Sequence, residues 1–305
     1  MRESVRGYAE GVLEPAAAGE VTRVADEIGG FSSTLAASAD LRGVLTDPTI
    51  AGHIRRTVVT DLLSSRALGQ TTRIVALAAE SGRPTEFVDD IASLVARVRR
   101  VADGSEPVAS DGPIGRHAAE ERLDGYVRAV VEETPDPDDV ARAEDELYRF
   151  LHTVTGNENL EQALTDRDVP TDARAGVVRD LLGGRAVEAT VRLSVYSARM
   201  GRPRDYPALL QWLVDRVAAE RQRRIADVRA AVDLDQPQRQ RLAEALTRIT
   251  GRPVDLRVSA DPAVLGGFVA TIGDTVVDGS VRHRLDLLKE RLVITGATIT
   301  TGESS

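Results

Sequence analysis

The chain has 305 residues, of which 42% are hydrophobic, 29% charged and only 3% aromatic, and its net charge at pH 7 is −9. That acidity excludes a general nucleic-acid binder, which needs a basic surface to release counterions, and the absence of cysteine excludes disulfides, thiolate zinc sites and cysteine nucleophiles. So few aromatics require cores built from Ala, Val, Leu and Ile, which suits helical bundles. No apolar run approaches the roughly 20 residues of a membrane span. The opening "MRESVRGYAEG" lacks the apolar core of a signal peptide. The expectation is a soluble protein that meets a membrane only through a partner.

In chain order, Val5, Tyr8, Ala9 and Val12 open an amphipathic helix, and Val24, Ile28, Phe31 and Leu35 mark a second. Asp47-Pro48 reads as an N-cap with a first-turn proline. Gly82 stands where a helix ends, with Pro84 two residues on. Phe87, Ile91, Leu94 and Val98 form the stripe of a last helix. The whole set then returns. "VVTDLLSSRA" (58–67) reappears as "VVRDLLGGRA" (177–186), and "SGRP" (81–84) as "MGRP" (200–203), at a constant offset of 119. Aligning 41–98 with 160–217 gives 22 identities in 58 positions without a gap. The matching stripes are Leu123, Tyr126, Val127 and Val130; Ala143, Leu147, Phe150 and Val154; and Tyr206, Leu210, Leu213 and Val217. This is a duplicated helical domain of about six helices per copy.

The predicted fold is mainly α: two tandem six-helix bundles followed by a small α/β C-terminal domain. Copy one spans 1–100, a Gly/Pro/Ser-rich linker 101–119, copy two 120–224, the α/β domain 225–293 and a polar tail 294–305. In the α/β domain, 225–234 reads as a strand, 236–251 as a helix and 253–260 as an alternating strand.

The stretch 265–292, "LGGFVATIGDTVVDGSVRHRLDLLKERL", raises the question of a phosphate loop. No Gly-Lys and no G-x-G-x-x-G occurs in the chain, so neither nucleotide motif is met. Phe268, Ala270 and Ile272 instead alternate up to Gly273-Asp274, the start of a hairpin turn with glycine first. Asp278 and Ser280 are candidate N-caps for a closing helix with Val281, Leu285, Leu288 and Leu292 on one face. Gly266-Gly267, Gly273-Asp274 and Asp278-Gly279-Ser280 together closely resemble the C-terminal signature of the delta subunit family of F-type ATP synthases, the oligomycin sensitivity conferral protein family. "VRGYAEGVLEPAA" (5–17) resembles the family's first helix, and "LAAESGRP" (77–84) the end of its fifth. The doubled bundle departs from the usual single one and is similar to the actinobacterial branch.

The resemblance implies a structural stator subunit that ties the catalytic head to the peripheral stalk. No catalytic, cofactor-binding or metal residue is called for. It implies alpha-subunit N-terminal segments lying in a groove between the first and fifth helices. The floor of that groove falls at Gly11 in copy one and Ala129 in copy two, and its wall at Leu77 and Tyr196. Copy one is expected to be the main alpha site. The resemblance also implies that the C-terminal domain holds the b subunits, partly through Arg282, Arg284 and Arg291 on the closing helix. The implied location is the cytoplasmic side of a bacterial cell membrane, as a peripheral protein. The alternative is a free-standing helical adaptor that binds partner helices.

Blander readings stand elsewhere. His53, His117, His152 and His283 have no ligand spacing. The acidic run "EETPDPDDVARAEDE" (132–146) reads as a solvated helix entry, and Trp212 as partial core.

Overall fold

The computed structural model describes residues 1–109, 113–232, 234–250, 254–261, 264, 266–272 and 275–279. Among these are thirteen α-helices and four strands. The chain divides into two compact units, Met1–Ala218 and Ala219–Ser305. Helices α1 (Glu3–Leu13), α2 (Ala18–Ala37), α3 (Ala39–Thr46), α4 (Gly52–Leu63), α5 (Gly69–Ser81) and α6 (Phe87–Ala102) belong to copy one. Helices α7 (Arg116–Glu133), α8 (Pro137–Thr155), α9 (Glu158–Thr165), α10 (Thr171–Leu182), α11 (Glu188–Met200) and α12 (Tyr206–Arg224) belong to copy two.

Every residue of the stripes predicted in the two helical copies is buried, from Val5 at 1% exposure to Val217 at 0%, and the closing-helix stripe Val281, Leu285, Leu288 and Leu292 lies outside the described residues. Each copy gathers its own apolar cluster, and Trp212 packs half-buried against the second. The copies also share two polar devices, both at the offset of 119. The Glu27 carboxylate accepts from Leu68 N (2.8 Å) and Thr71 Oγ1 (2.6 Å) at the start of α5. Glu146 accepts from Val187 N (2.9 Å) and Thr190 Oγ1 (2.7 Å) at the start of α11. Each carboxylate satisfies an orphan donor at a helix N-terminus and meets the positive end of its dipole. The second device is a buried arginine. Arg55 Nε donates to Ala79 O (2.9 Å), and Arg174 donates to Ala198 O through Nε (3.0 Å) and Nη2 (2.8 Å). These guanidiniums serve carbonyls in the last turn of α5 and α11, where the backbone has no partner of its own.

Local readings are refined at three places. Asp47 does not cap a following helix. It ends α3, and its carboxylate accepts from Thr49 N (2.8 Å) and Thr49 Oγ1 (2.7 Å), a local turn that pre-empts capping. Gly82 and Gly201 do end α5 and α11, but in extended backbone and not in the left-handed region. Space is the reason. A Cβ at Gly82 would lie 2.6 Å from Ala78 O, and one at Gly201 would overlap Leu209 Cδ1. The acidic run 132–146 is not uniformly solvated. Glu132, Glu133 and Glu146 at its ends all have structural partners.

Between the copies, Ala109 is buried, and Ile114 N donates to Met200 O (3.0 Å) while bridging to Gly201.

The second unit is a four-stranded sheet in the order β2-β1-β3-β4, with β1 Ile225–Ala230, β2 Asp255–Ala260, β3 Phe268–Ile272 and β4 Thr275–Asp278. Strands β1 and β2 run parallel through helix α13 (Gln236–Thr250), and β3 pairs antiparallel with both β1 and β4. The first strand ends at Ala230, short of the predicted 234, because Asp235 begins a capping box with Gln238. Ala226, Val228, Ala270, Ile272, Leu242 and Leu246 form the small core on the face that α13 covers. Gly266 and Gly267 both have positive φ, 72° and 79°, at the entry to β3, a backbone that favours glycine. A Cβ at Gly279 would stand 2.9 Å from Phe268 Cε1. Gly273, Asp274, Ser280 and the closing helix with Arg282, Arg284 and Arg291 lie outside the described residues.

Candidate interaction site

Among the described helices, the most extensive contact joins the first helix of one copy to the first helix of the other. Helices α1 and α7 cross side by side, in parallel, with residues matched at an offset of 118. The sequence carries small residues four apart on these faces, Gly7 and Gly11 in α1, Gly125 and Ala129 in α7. That spacing places them on one side of a helix and lets two backbones approach closely. A Cβ built on Gly7 would overlap the carbonyl oxygen of Arg122, and one on Gly125 would overlap that of Ser4. A Cβ on Gly11 would stand 2.6 Å from the Cβ of Ala129. Ser4 and Arg122 are themselves equivalent positions, so a local two-fold relates the pair.

Polar contacts around this crossing repeat the symmetry. Tyr8 donates to Glu132 Oε2 (2.5 Å), and its counterpart Tyr126 donates to Glu14. Arg73 of α5 meets Glu133 (3.4 Å), and its counterpart Arg192 of α11 meets Glu14 (3.1 Å), Glu133 (3.3 Å) and Gly11 O (2.7 Å). Burial, then the neighbouring carboxylates, push the Tyr8, Tyr126 and Tyr196 hydroxyls well above the usual tyrosine range. They remain donors at neutral pH.

The symmetry breaks where the side chains differ. Glu10 is 1% exposed and accepts from Tyr196, from Arg97 Nη2 (2.6 Å) and from Arg6 Nε (3.1 Å). Across the crossing, Arg128 bridges to Glu80 (3.2 Å), which also holds Arg56 (2.6 Å). The Tyr196 ring stacks on Tyr126 with centroids 3.7 Å apart and planes 4° apart, and Arg192 covers the other tyrosine at 5.8 Å.

Of the four predicted groove positions, Gly11, Ala129 and Tyr196 meet at the crossing, and Leu77 is buried in the copy-one cluster that also holds Ala129. Gly11 and Ala129 face each other, Leu77 is 4% exposed, and Tyr196 is 2% exposed. The first helix of each copy lies where the groove of the other was expected.

A sequence model of the ATP synthase delta (OSCP) subunit matches residues 5–106 and 124–292. The chain belongs to the ATP synthase delta (OSCP) subunit family. It is 34% identical to the ATP synthase subunit delta of Streptomyces avermitilis over 90% of this chain and 89% of that one. It is 34% identical to that of Parafrankia sp. (strain EAN1pec) over 92% and 88%. An ATP synthase subunit b-delta from Mycobacterium sp. (strain KMS) is 34% identical over 67% of this chain and 48% of its own length. The family match resumes at residue 124, inside α7, so Gly7, Gly11, Gly125 and Ala129 fall within it and Arg122 does not. Of the family signature, Gly266, Gly267 and Gly279 are described as above, and Asp278 ends β4.

Sequence reasoning missed Gly7, Gly125, Glu10, Glu80 and Arg128. The available signal was the pair of small residues four apart in two helices that otherwise carry aligned apolar stripes.

The carboxylates of this unit also fix an acid response. Burial raises the pKa of Glu80, but Arg56 and Arg128 outweigh it and the net shift is downward. Glu27 is lowered in the same sense: burial again opposes, and bonds from Thr71, Leu68 and Arg23 outweigh it. A depressed carboxylate stabilises the fold above its unfolded pKa, and that stability is lost as pH falls through the folded value. Glu133 is raised by burial against Arg192 and Arg73, so it costs stability at neutral pH and returns it on acidification. With Glu27, Asp47, Glu80, Asp103 and Glu106 lowered against Glu133 raised, the thermal midpoint is expected to fall once pH drops below the ordinary glutamate value of 4.5. Glu80→Gln should flatten that fall in melts followed from pH 7 downward, and an unchanged slope would remove Glu80 from the account.

Proposed function

We propose that this chain is the delta subunit of the peripheral stalk of an F-type ATP synthase, a non-catalytic tie between the alpha/beta head and the b subunits. Rotation inside the head does conformational work only if the head is held still. The observation that carries the reading is the family match across both helical copies and the C-terminal unit. Among the described residues no helix is long and apolar enough to cross a membrane. The protein joins the membrane through the complex, on the cytoplasmic side in this reading. Each copy forms a six-helix bundle, α1–α6 and α7–α12, supported by the separate apolar clusters. The domain limits proposed are 1–100, 120–224 and 225–293, with 101–119 as linker and 294–305 as tail. Adding the protein back to membranes stripped of it should restore proton-driven ATP synthesis. A free-standing adaptor would instead wash away and restore nothing.

Gly11, Leu77, Ala129 and Tyr196 are proposed as the contact for alpha N-terminal helices. Each groove holds its sister helix, so an alpha helix enters by taking that place. An alpha N-terminal peptide should then bind with faster hydrogen exchange at α1 and α7. Binding without that change would put the contact elsewhere. Arg282, Arg284 and Arg291 are proposed to meet the b subunits. Reversing all three to Glu should weaken b-subunit pull-down while the thermal melt is unchanged, and undiminished capture would rule this contact out.

A further inference from the structure

We infer that the α1–α7 face carries a charge code by which copy one binds copy two and rejects another copy of itself. The two copies descend from one sequence, and their first helices still share the small residues of the crossing, Gly7 and Gly11 against Gly125 and Ala129. On shape alone, copy one would pair with copy one as well as with copy two. The charged positions remove that degeneracy. Arg128 of α7 lies 3.2 Å from Glu80 of α5. The residue equivalent to Arg128 in copy one is Glu10, and the residue equivalent to Glu80 in copy two is Arg199.

A pair of two copy-one domains would therefore set Glu10 against Glu80, twice. It would also replace Tyr196, which donates to the buried Glu10, with the equivalent Leu77. The Arg122–Glu3 bridge would be lost too, because Ser4 stands in place of Arg122. A pair of two copy-two domains would set Arg128 against Arg199, twice. Partners within one copy, such as Arg97 for Glu10, Arg56 for Glu80 and Glu132 for Arg128, go with their residue into any pairing and do not discriminate. Like charges brought together at a desolvated contact penalise the wrong partner more than the right pair gains. The accepted partner of either copy is thus the complementary copy, from the same chain or from a second molecule.

The test uses the full chain with a protease site placed at 110–112, cut after folding. Native mass spectrometry and gel filtration over a dilution series then read which pieces associate. The uncut protein, followed by circular dichroism, reports whether each variant folds. The cut wild type should run as a one-to-one complex without like pairs. Arg128→Glu should weaken that complex at least about tenfold. The C-terminal pieces should then begin to pair with each other, since the introduced carboxylate faces Arg199. Adding Glu80→Arg to Arg128→Glu should restore much of the one-to-one complex. If Arg128→Glu does not fold, Arg128→Gln should show the same weakening without the new like pair. Like pairs as abundant as mixed ones in the cut wild type would overturn the inference. So would an Arg128 variant that folds and leaves the one-to-one complex unchanged.

Discussion

Gly7→Ala and Gly125→Ala are each expected to destabilise Met1–Ala218 by about 3 kcal/mol or more, at the upper end of the overpacking range. A single methyl suffices because the obstacle is backbone on both sides: the carbonyl of Arg122 for Gly7, and that of Ser4, with Tyr8 N at 2.8 Å, for Gly125. Backbone cannot swing away as a side-chain tip can, so α1 and α7 must move apart and loosen the Tyr8–Glu132, Tyr126–Glu14 and Tyr196–Glu10 bonds that span the two copies. For a unit of this size the loss corresponds to a fall in thermal midpoint of roughly 6–12 °C. Gly30→Ala supplies the contrast. It lies inside α2 with nothing within 4 Å of the added methyl. There alanine should stabilise by about 0.5–1 kcal/mol through helix propensity. Equal midpoints for Gly7→Ala and Gly30→Ala in calorimetry would show that the close crossing does not form in solution.

Glu10→Ala is expected to cost about 3–5 kcal/mol, the range for breaking a buried ion pair from one side. Glu10 joins three elements: its carboxylate holds Arg97 of α6, Arg6 of α1 and the hydroxyl of Tyr196 on α11. Arg97 keeps Glu106 and Val108 O after the change, whereas the 2%-exposed Tyr196 loses the acceptor of its hydroxyl. Glu10→Gln, which keeps an acceptor oxygen, should recover part of the loss. Denaturant melts of both variants check this. A cost below about 1 kcal/mol for Glu10→Ala would mean that the carboxylate is hydrated and not a core group.

Much of the fold was legible because the repeat and the helical period reported on the same residues. Val24, Ile28, Phe31 and Leu35 could be trusted as core once Ala143, Leu147, Phe150 and Val154 repeated them, and all eight are buried. The helix ends at Gly82 and Gly201 were legible in place, though their cause is crowding. Hydrogen-bond chemistry was harder. Glu27 and Glu146 look like surface acids, and only the arrival of α5 and α11 from 41 residues away makes them caps. The groove reading set Gly11 and Ala129 as floors for a partner helix, and the structure sets the two against each other. Pattern alone does not say which helix takes the room. A candidate within the chain was marked by Gly7 and Gly125, each four residues before the floor position, which were not read as a pair.

The segment that joins the copies has a consequence for how tightly they must bind. Residues 103–115 run from the end of α6 to the start of α7, so the two faces of the crossing are never free of each other. A short tether holds such faces at an effective concentration on the order of millimolar. An association with a dissociation constant of about 10 μM would then be closed roughly 99% of the time in the intact chain. The faces can drift through mutation far from optimal affinity before the closed form is lost, whereas two unlinked proteins at micromolar levels would already have separated. Duplication within one gene therefore substitutes connectivity for binding strength.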